Sequence, residues 1–345
     1  MFTIKDAVRR VVGREDLSYD EARDVMRAMM EGECTPIMTA AYLAALSEKG
    51  ETVDEIAGSA YEMRAHALRL PGDYSDALEI VGTGGDMSGT FNISTTSAFV
   101  VAACGVRVAK HGNRAASSRS GAADVLEAMG AVLDNEPEQS AKVIDGCGFV
   151  FMFAQKYHAS MRYVAPVRKE LGIRTVFNLL GPLTNPAFAG SQFSGVYDAS
   201  LVRPFAEVMD RLGICNGLVV YGQDGIDEMS VCAPSSVCEL RNGSFEEYVV
   251  EPEDFGFRRG DHRDLIGGDP SDNARITEGV LGGSILGTKR DAVLLNAAAG
   301  LYTAGKADSI DEGVDMAGEA IDSGEALERL KLYVGLTGGT YVDRS

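Results

Sequence analysis

The segment from Lys110 to Gly121, KHGNRAASSRSG, gathers cations, hydroxyls and two glycines between a strand-like stretch and a helix-like one. Lys110 supplies a point charge, Arg114 or Arg119 a donor fork, and Ser117, Ser118 and Ser120 hydroxyls, while Gly112 lets the chain turn sharply. A solvated loop explains any one of these residues but not the whole cluster at the end of an apolar strand. The cluster therefore reads as one wall of a site for a phosphorylated ligand. A second glycine turn, Gly82-Thr83-Gly84-Gly85-Asp86, follows the apolar run ALEIV. It has neither the Gly-Lys-Ser/Thr of a P-loop nor dinucleotide spacing, but its backbone N–H groups can face an anion. Asp86 there either holds a sugar hydroxyl or anchors the turn.

Asn92-Ile93-Ser94-Thr95 opens the next helix. Ser94 or Thr95 serves as an ordinary N-cap, or the hydroxyls and the helix N-terminus face phosphate oxygens; one can cap while its neighbour binds. Downstream, Asp227-Glu228 in GQDGIDE follows the strand-like GLVVY. Adjacent carboxylates repel unless a cation lies near, and oxygen ligands shared with a diphosphate suit Mg²⁺; a solvated turn is the alternative. The remaining pieces are His158-Ala159-Ser160-Met161-Arg162 and Pro166 to Leu171. His158 is either a satisfied structural residue or part of a site. Arg168 shares a helix with apolar Val164, Val167 and Leu171 and is placed to meet a carboxylate.

These pieces need a frame that brings them to one end of a sheet. The first seventy residues read as helices only, with Ser18/Glu21 and Thr52/Glu55 as capping boxes and Thr35-Pro36 as a cap with a first-turn proline. Pro71-Gly72-Asp73 breaks that pattern, so residues 1–72 form a small all-helical domain and 73–345 a larger one. From Ala77 strands alternate with helices: ALEIV, SAFVVAACG, VRVA, AADVLEAMG, GFVFMF, FSGVY, a helix from Pro204, and GLVVY. That order predicts an α/β fold with a central, mostly parallel sheet flanked by helices, its ligands beyond the carboxyl ends of the strands. VCELRNG and FEEYVV predict a hairpin, and helices are expected over 291–304 and 309–323.

Composition narrows the class of partner. With 345 residues, 45% hydrophobic, the chain can bury a large core, and 40 glycines concentrated at strand-to-helix handovers suit α/β architecture. A formal charge of −19 argues against a nucleic-acid binder, though not against a small phosphate ester held by a local field. The six cysteines form no CxxC pair and read as reduced thiols of a cytoplasmic protein. No signal peptide or membrane-length apolar run is seen, so no membrane partner is expected.

Taken together, GTGGD, NIST, KHGNRAASSRSGAADVLEAMG, PVRKELGIRTVFNLLGPLTNP and DGIDE resemble the anthranilate phosphoribosyltransferase family in order and spacing, over nearly the whole chain. The resemblance implies transfer of phosphoribose from 5-phospho-α-D-ribose 1-diphosphate to anthranilate in tryptophan biosynthesis. It further implies a helical domain completed by mid-chain helices at about 165–190, and a homodimer through that domain. It assigns Gly82, Gly85, Asp86, Thr90, Asn92, Ile93, Ser94, Thr95, Lys110, His111, Gly112, Asn113, Arg114, Ala115, Ala116, Ser117, Ser118 and Ala122 to the phosphoribosyl donor. Gly82, Asn113 and Arg168 are assigned to anthranilate, with His111 and His158 on its path, and Ser94, Asp227 and Glu228 to Mg²⁺, with two ions expected. Lys110, Asn113, Arg168, Asp227 and Glu228 form the expected catalytic set. Gln155, Ala159-Ser160 and Tyr221 depart from the family's usual Pro, Pro-Ala and His. The first two changes face the aromatic acceptor and Tyr221 adjoins the metal loop. Pyrimidine nucleoside phosphorylases, of similar architecture, carry a different glycine signature after the corresponding lysine. A non-catalytic binding paralogue would lack part of the Lys110, Arg168, Asp227-Glu228 set, which is intact.

Overall fold

The computed structural model describes residues 2–115 and 119–344. Four helices come first, α1 (Ile4–Val12), α2 (Tyr19–Met30), α3 (Pro36–Lys49) and α4 (Val53–Ala65). Their starts follow from local chemistry. Ser18 and Thr52 accept from the third helical N–H while Glu21 and Glu55 reach back to the cap, and Thr35 caps the helix that begins at Pro36. Such caps contribute about 1 kcal/mol each. The apolar faces of α1–α4 close over Val164, Phe177, Leu180 and Leu183 and over a later helix that contributes Val202, Phe205 and Met209.

The rest is built on seven strands: β1 (Leu78–Gly82), β2 (Val108–Gly112), β3 (Phe149–Phe153), β4 (Ser191–Gly195), β5 (Asn216–Gly222), β6 (Ser235–Arg241) and β7 (Ser244–Val250). They lie in the order β3-β2-β1-β4-β5-β6-β7, the first five parallel and the last two an antiparallel hairpin, as expected. Parallel strands covered on both faces lose polar alternation, and all five residues of β3 are buried. Along β5, Leu218 and Val220 enter one core and Val219 the other.

The connecting helices are α5 (Ile93–Ala103), α6 (Ala122–Ala128), α7 (Pro137–Cys147), the single turn α8 (Ala154–Tyr157), α9 (Ala165–Leu171), the single turn α10 (Phe177–Leu180) and α11 (Val202–Arg211). After the hairpin come α12 (His262–Leu265), α13 (Pro270–Leu281), α14 (Thr288–Thr303), α15 (Ile310–Asp322) and α16 (Glu325–Leu336). The expected helices over 291–304 and 309–323 are α14 and α15. α13 and α16 were not read from the sequence, although Asp269-Pro270 is a cap with a first-turn proline. Helices α5, α14 and α16 cover one sheet face, where Phe99 stacks on Phe149 at 4.3 Å and Tyr333 meets Phe149 edge-on at 4.8 Å. No helix among the described residues is long and apolar enough to cross a membrane. Of the six free thiols, Cys147 and Cys238 are buried and Cys215 is exposed.

Candidate active site

β1 and β4 are neighbours whose crossovers run in opposite directions, so a crevice opens at their carboxyl ends. β1 ends there at Gly82 and β4 at Gly195, opposite each other in register. The turn after β5 lies directly on both. A Cβ on Gly195 would overlap the Asp227 carbonyl, and one on Gly82 would overlap the Asp227 carboxylate. Glycine at these two positions is what allows an acidic turn to rest on strand ends.

The acids are held by backbone donors from the glycine loop and the next helix. Asp227 accepts from the Gly84 N–H at 2.6 Å, and Glu228 from the Ser94 N–H at 3.1 Å, in the first turn of α5. Burial, then the nearby Asp86 carboxylate, pushes Asp227 up to about 7. Burial, then Asp227, pushes Glu228 up to about 8. Two buried carboxylates thus meet beside the half-buried Asp86, and the ionisation of Asp227 and Glu228 is opposed. Among the described residues no group of three or more His, Cys, Asp or Glu forms a metal cage. The donor set still fits Mg²⁺, which takes one or two carboxylates and fills its octahedron from substrate phosphates and water.

Lys110 sits among these acids rather than reaching outward. Its buried ammonium donates to the Ile80 carbonyl at 2.5 Å and the Ser94 hydroxyl at 3.3 Å. Burial lowers its pKa, against the opposing charges of Glu79, Glu228 and Asp227.

The loop after β2 is pinned from α6. The Asp124 carboxylate accepts from the Ala115 and Gly121 N–H groups, both at 2.8 Å, and so ties the two ends of the loop together. Gly121 packs so closely on the loop backbone that a Cβ would overlap the Ala115 nitrogen. Between Arg114 and Arg119, the structure separates two residues the sequence left equivalent. Arg114 pairs with Glu127 at 2.6 Å and lies over the Phe153 ring at 4.7 Å. Arg119 is exposed and lines a pit with Gly89, Thr90, Ser120, Gly268 and Asn273. Ala116, Ser117 and Ser118 lie outside the described residues.

The α5 N-cap is Asn92, not Ser94 or Thr95. Its side-chain carbonyl accepts from Ser120 Oγ at 3.3 Å and Asn273 Nδ2 at 2.9 Å, and its amide donates to the Ser120 carbonyl at 3.3 Å. Asn92 thus joins α5, α13 and the loop. Ile93 and Thr95 are buried, leaving Ser94 as the hydroxyl near the carboxylates. In the glycine loop Gly84, Gly85 and Gly89 take positive φ, and so does Met87 at 59°, a region side chains rarely occupy. The Thr90 hydroxyl lies 3.3 Å from that of Ser88, and the loop is held by the segment after α12 through Gly267 N–H to the Gly89 carbonyl at 2.9 Å.

The remaining predicted residues gather on the other side of β2. The His111 and His158 rings face each other with centroids 4.9 Å apart, and His111 Nδ1 is 3.3 Å from the Gly181 carbonyl. Both Nε2 atoms are buried without a hydrogen-bond partner. Burial holds His158 down at about 4 and, with His158 alongside, holds His111 well below the usual imidazole range. Both rings are therefore neutral at pH 7. Arg168, on α9, lies over the Phe177 ring at 5.0 Å and has no carboxylate partner among the described residues. Burial lowers its pKa. Asn113 is exposed, and its Oδ1 accepts from the Arg114 N–H at 2.8 Å and Gln155 Nε2 at 3.4 Å, which puts the Gln155 departure against a residue that the resemblance assigns to the acceptor.

Sequence reading missed Glu79, Asp124, Asn185 and Asn273. Glu79 left a signal, a carboxylate inside the apolar run ALEIV, and so did Asp124, three residues after Gly121 at the start of α6. Asn185 and Asn273 act through partners 106 and 181 positions away.

A helical bundle set beside a parallel sheet, with acids and glycines at the strand ends, defines a two-domain glycosyl transferase. Residues 5–67 match the helical bundle domain of the glycosyl transferase family and residues 74–327 its a/b domain. The chain is 55% identical over 334 residues to the anthranilate phosphoribosyltransferase of Methanobrevibacter smithii, covering 97% of this chain and 99% of the relative. The structure of anthranilate phosphoribosyltransferase from Thermus thermophilus superimposes with a TM-score of 0.91 at 48% identity, covering 96% of this chain and 99% of that one. The Saccharomyces cerevisiae enzyme in complex with PRPP and Mg superimposes with a TM-score of 0.88 at 27% identity, covering 97% and 98%. The chain belongs to the anthranilate phosphoribosyltransferase family.

Proposed function

We infer that this protein transfers the phosphoribosyl group of 5-phospho-α-D-ribose 1-diphosphate to anthranilate, releasing diphosphate. The observation that carries the reading is the seating of Asp227-Glu228 on the ends of β1 and β4, tied to the Gly84 and Ser94 N–H groups. That arrangement gathers carboxylates and backbone donors where a diphosphate and its counter-ion need them.

The amine nitrogen of anthranilate forms a bond to ribose C1 as the C1–diphosphate bond breaks, and the amine proton departs. The acceptor is already a neutral amine, so no protein nucleophile is needed. Charge neutralisation at the leaving diphosphate is the chemistry that Mg²⁺ would supply, with Asp227, Glu228 and Ser94 as the residues to hold it. Lys110, its ammonium on the Ile80 carbonyl and the Ser94 hydroxyl, adds positive charge beneath the donor. Arg168, without a carboxylate partner of its own, fixes the anthranilate carboxylate, and Asn113 aligns its polar groups. The neutral His111 and His158 rings give the acceptor an uncharged wall. Two Mg²⁺ ions, a cytoplasmic location and a homodimer through the helical domain belong to the same proposal.

The test is product formation from anthranilate, the phosphoribosyl donor and Mg²⁺, with orotate, nicotinate and nucleosides plus phosphate as competing substrates. Turnover of anthranilate is the expected result. Phosphorolysis of nucleosides alone, or no turnover with any substrate, would overturn the assignment.

A further inference from the structure

β1 pairs with β4, and β2 with β3, through five residues each, but β1 and β2 are in register only at Leu78 and Val108. Extending that register places Ile80 opposite Lys110. In a parallel ladder the Ala109 carbonyl would then accept from Ile80, and the His111 N–H would donate to the Ile80 carbonyl. Three of these four groups are met by a side chain. The His111 N–H donates to both oxygens of Glu79, at 3.1 and 3.2 Å. The Ala109 carbonyl accepts from Asn185 Nδ2 at 2.7 Å, and the Ile80 carbonyl from Lys110 Nζ at 2.5 Å. Asn185 Nδ2 also donates to Glu79, and its carbonyl is fixed by the Ala187 N–H at 2.8 Å.

Glu79 is fully buried. Lys110 of β2 acts on it as a charge from the opposite face of the sheet, where its ammonium meets Ile80 and Ser94, and α4 sets Arg64 near it, itself buried and donating to the Leu212 carbonyl at 3.3 Å. A carboxylate in a sheet interior is costly unless its partners compensate it. Here its hydrogen-bond partners are the backbone N–H of the residue that carries the His111 ring and the Asn185 amide, with the Lys110 and Arg64 charges nearby.

We propose that Glu79, seated by Asn185, is a positioning residue for the reaction. It wedges β1 from β2, turns the His111 backbone so that its ring meets His158 and the Gly181 carbonyl, and leaves the Lys110 ammonium on Ile80 beside Ser94. Glutamine cannot replace it. Glu79 accepts from two N–H donors, and an amide would turn its own NH₂ towards one of them.

This inference rests on the proposed transferase reading, so the experiment has one arm that needs no turnover. Glu79→Gln is expected to raise the anthranilate KM about tenfold and lower kcat about tenfold, with the donor KM within about threefold. Glu79→Asp, which keeps the carboxyl group, should recover part of the loss. Asn185→Ser, which removes only the seat, should raise the anthranilate KM about threefold and serves if Glu79→Gln does not fold. In parallel, ¹⁵N-histidine spectra of the substrate-free variants should show the His111 and His158 ring signals displaced and those of His66 and His262 unchanged. Unchanged His111 signals and kinetic constants, with only a lowered thermal midpoint, would overturn the proposal. A wild-type protein inactive on anthranilate whose His111 signals still move would sink the transferase reading and leave the wedge standing.

Discussion

The two sides of the crevice are built on opposite terms. On the donor side the charged groups already have protein partners: Asp227 on Gly84, Glu228 on Ser94, Lys110 on Ile80 and Ser94, Asp124 across the loop ends. On the acceptor side, by contrast, two imidazole nitrogens are buried without partners and Arg168 has no counter-charge among the described residues. A site that must bind a multiply charged donor cannot leave several like charges loose in a buried crevice, because each would neutralise or pull in competing ions. A site for a flat, singly charged aromatic acid can hold neutral groups unpaired at a cost of about 1–3 kcal/mol each, recovered only when the acceptor arrives. On the proposed assignment, the donor wall is preassembled and the acceptor wall is completed by its ligand.

The largest effect that would break this contrast is expected from Asp227→Asn combined with Glu228→Gln. Turnover should fall about 10³-fold or more and its Mg²⁺ dependence should vanish, while the thermal midpoint holds because buried repulsion is removed. Normal turnover at normal Mg²⁺ dependence would discard the metal-linked role. Next comes Gly195→Ala, whose Cβ would displace the Asp227 backbone. It should cost about 2 kcal/mol of stability by denaturant titration and about 100-fold in kcat/KM, through the donor. A variant that binds donor normally would show that the acidic turn need not rest on β4.

Arg168→Ala tests the other wall. With no ion pair to lose among the described residues, it should move the thermal midpoint only by the lost contact with Phe177, raise the anthranilate KM by about 10- to 100-fold, and leave the donor KM within about twofold. An unchanged anthranilate KM would remove Arg168 from the acceptor. The remaining effect is on pH-dependent stability. His158 is held at about 4 against its usual 6.5, so below that usual value the unfolded chain binds a proton that the folded chain refuses. Its contribution is complete above pH 6.5 and is lost as pH falls through the window down to about 4, by on the order of 3 kcal/mol. His158→Phe should flatten that part of the stability profile measured by urea titration. An identical slope would mean that the ring is not buried as neutral imidazole.

The residues themselves show where legibility ended. Caps at Ser18, Thr35 and Thr52, the strand-to-helix grammar from Ala77, and the hairpin of β6 and β7 were readable because each depends on chemistry within a few positions. Helix α13 was equally local, announced by Asp269-Pro270, and was simply not read. The motifs that bear charge were readable as a group, since cations and hydroxyls at a strand end have few other uses. Their individual partners were not. Gly84 and Asp227 lie 143 positions apart, Ser94 and Glu228 134, Glu79 and Asn185 106. The sequence by itself determined the elements, the family and the phosphate-seeking character of the 110–121 segment. Only the tertiary structure decided that Arg114 is spent on Glu127 while Arg119 lines the pit, that Asn92 is a joint between helices, and that Lys110 lies beneath the site. The physical reason is reach. Backbone preferences are set by neighbours in the chain, whereas a long polar side chain takes whichever partner the packed sheet brings within about 3 Å.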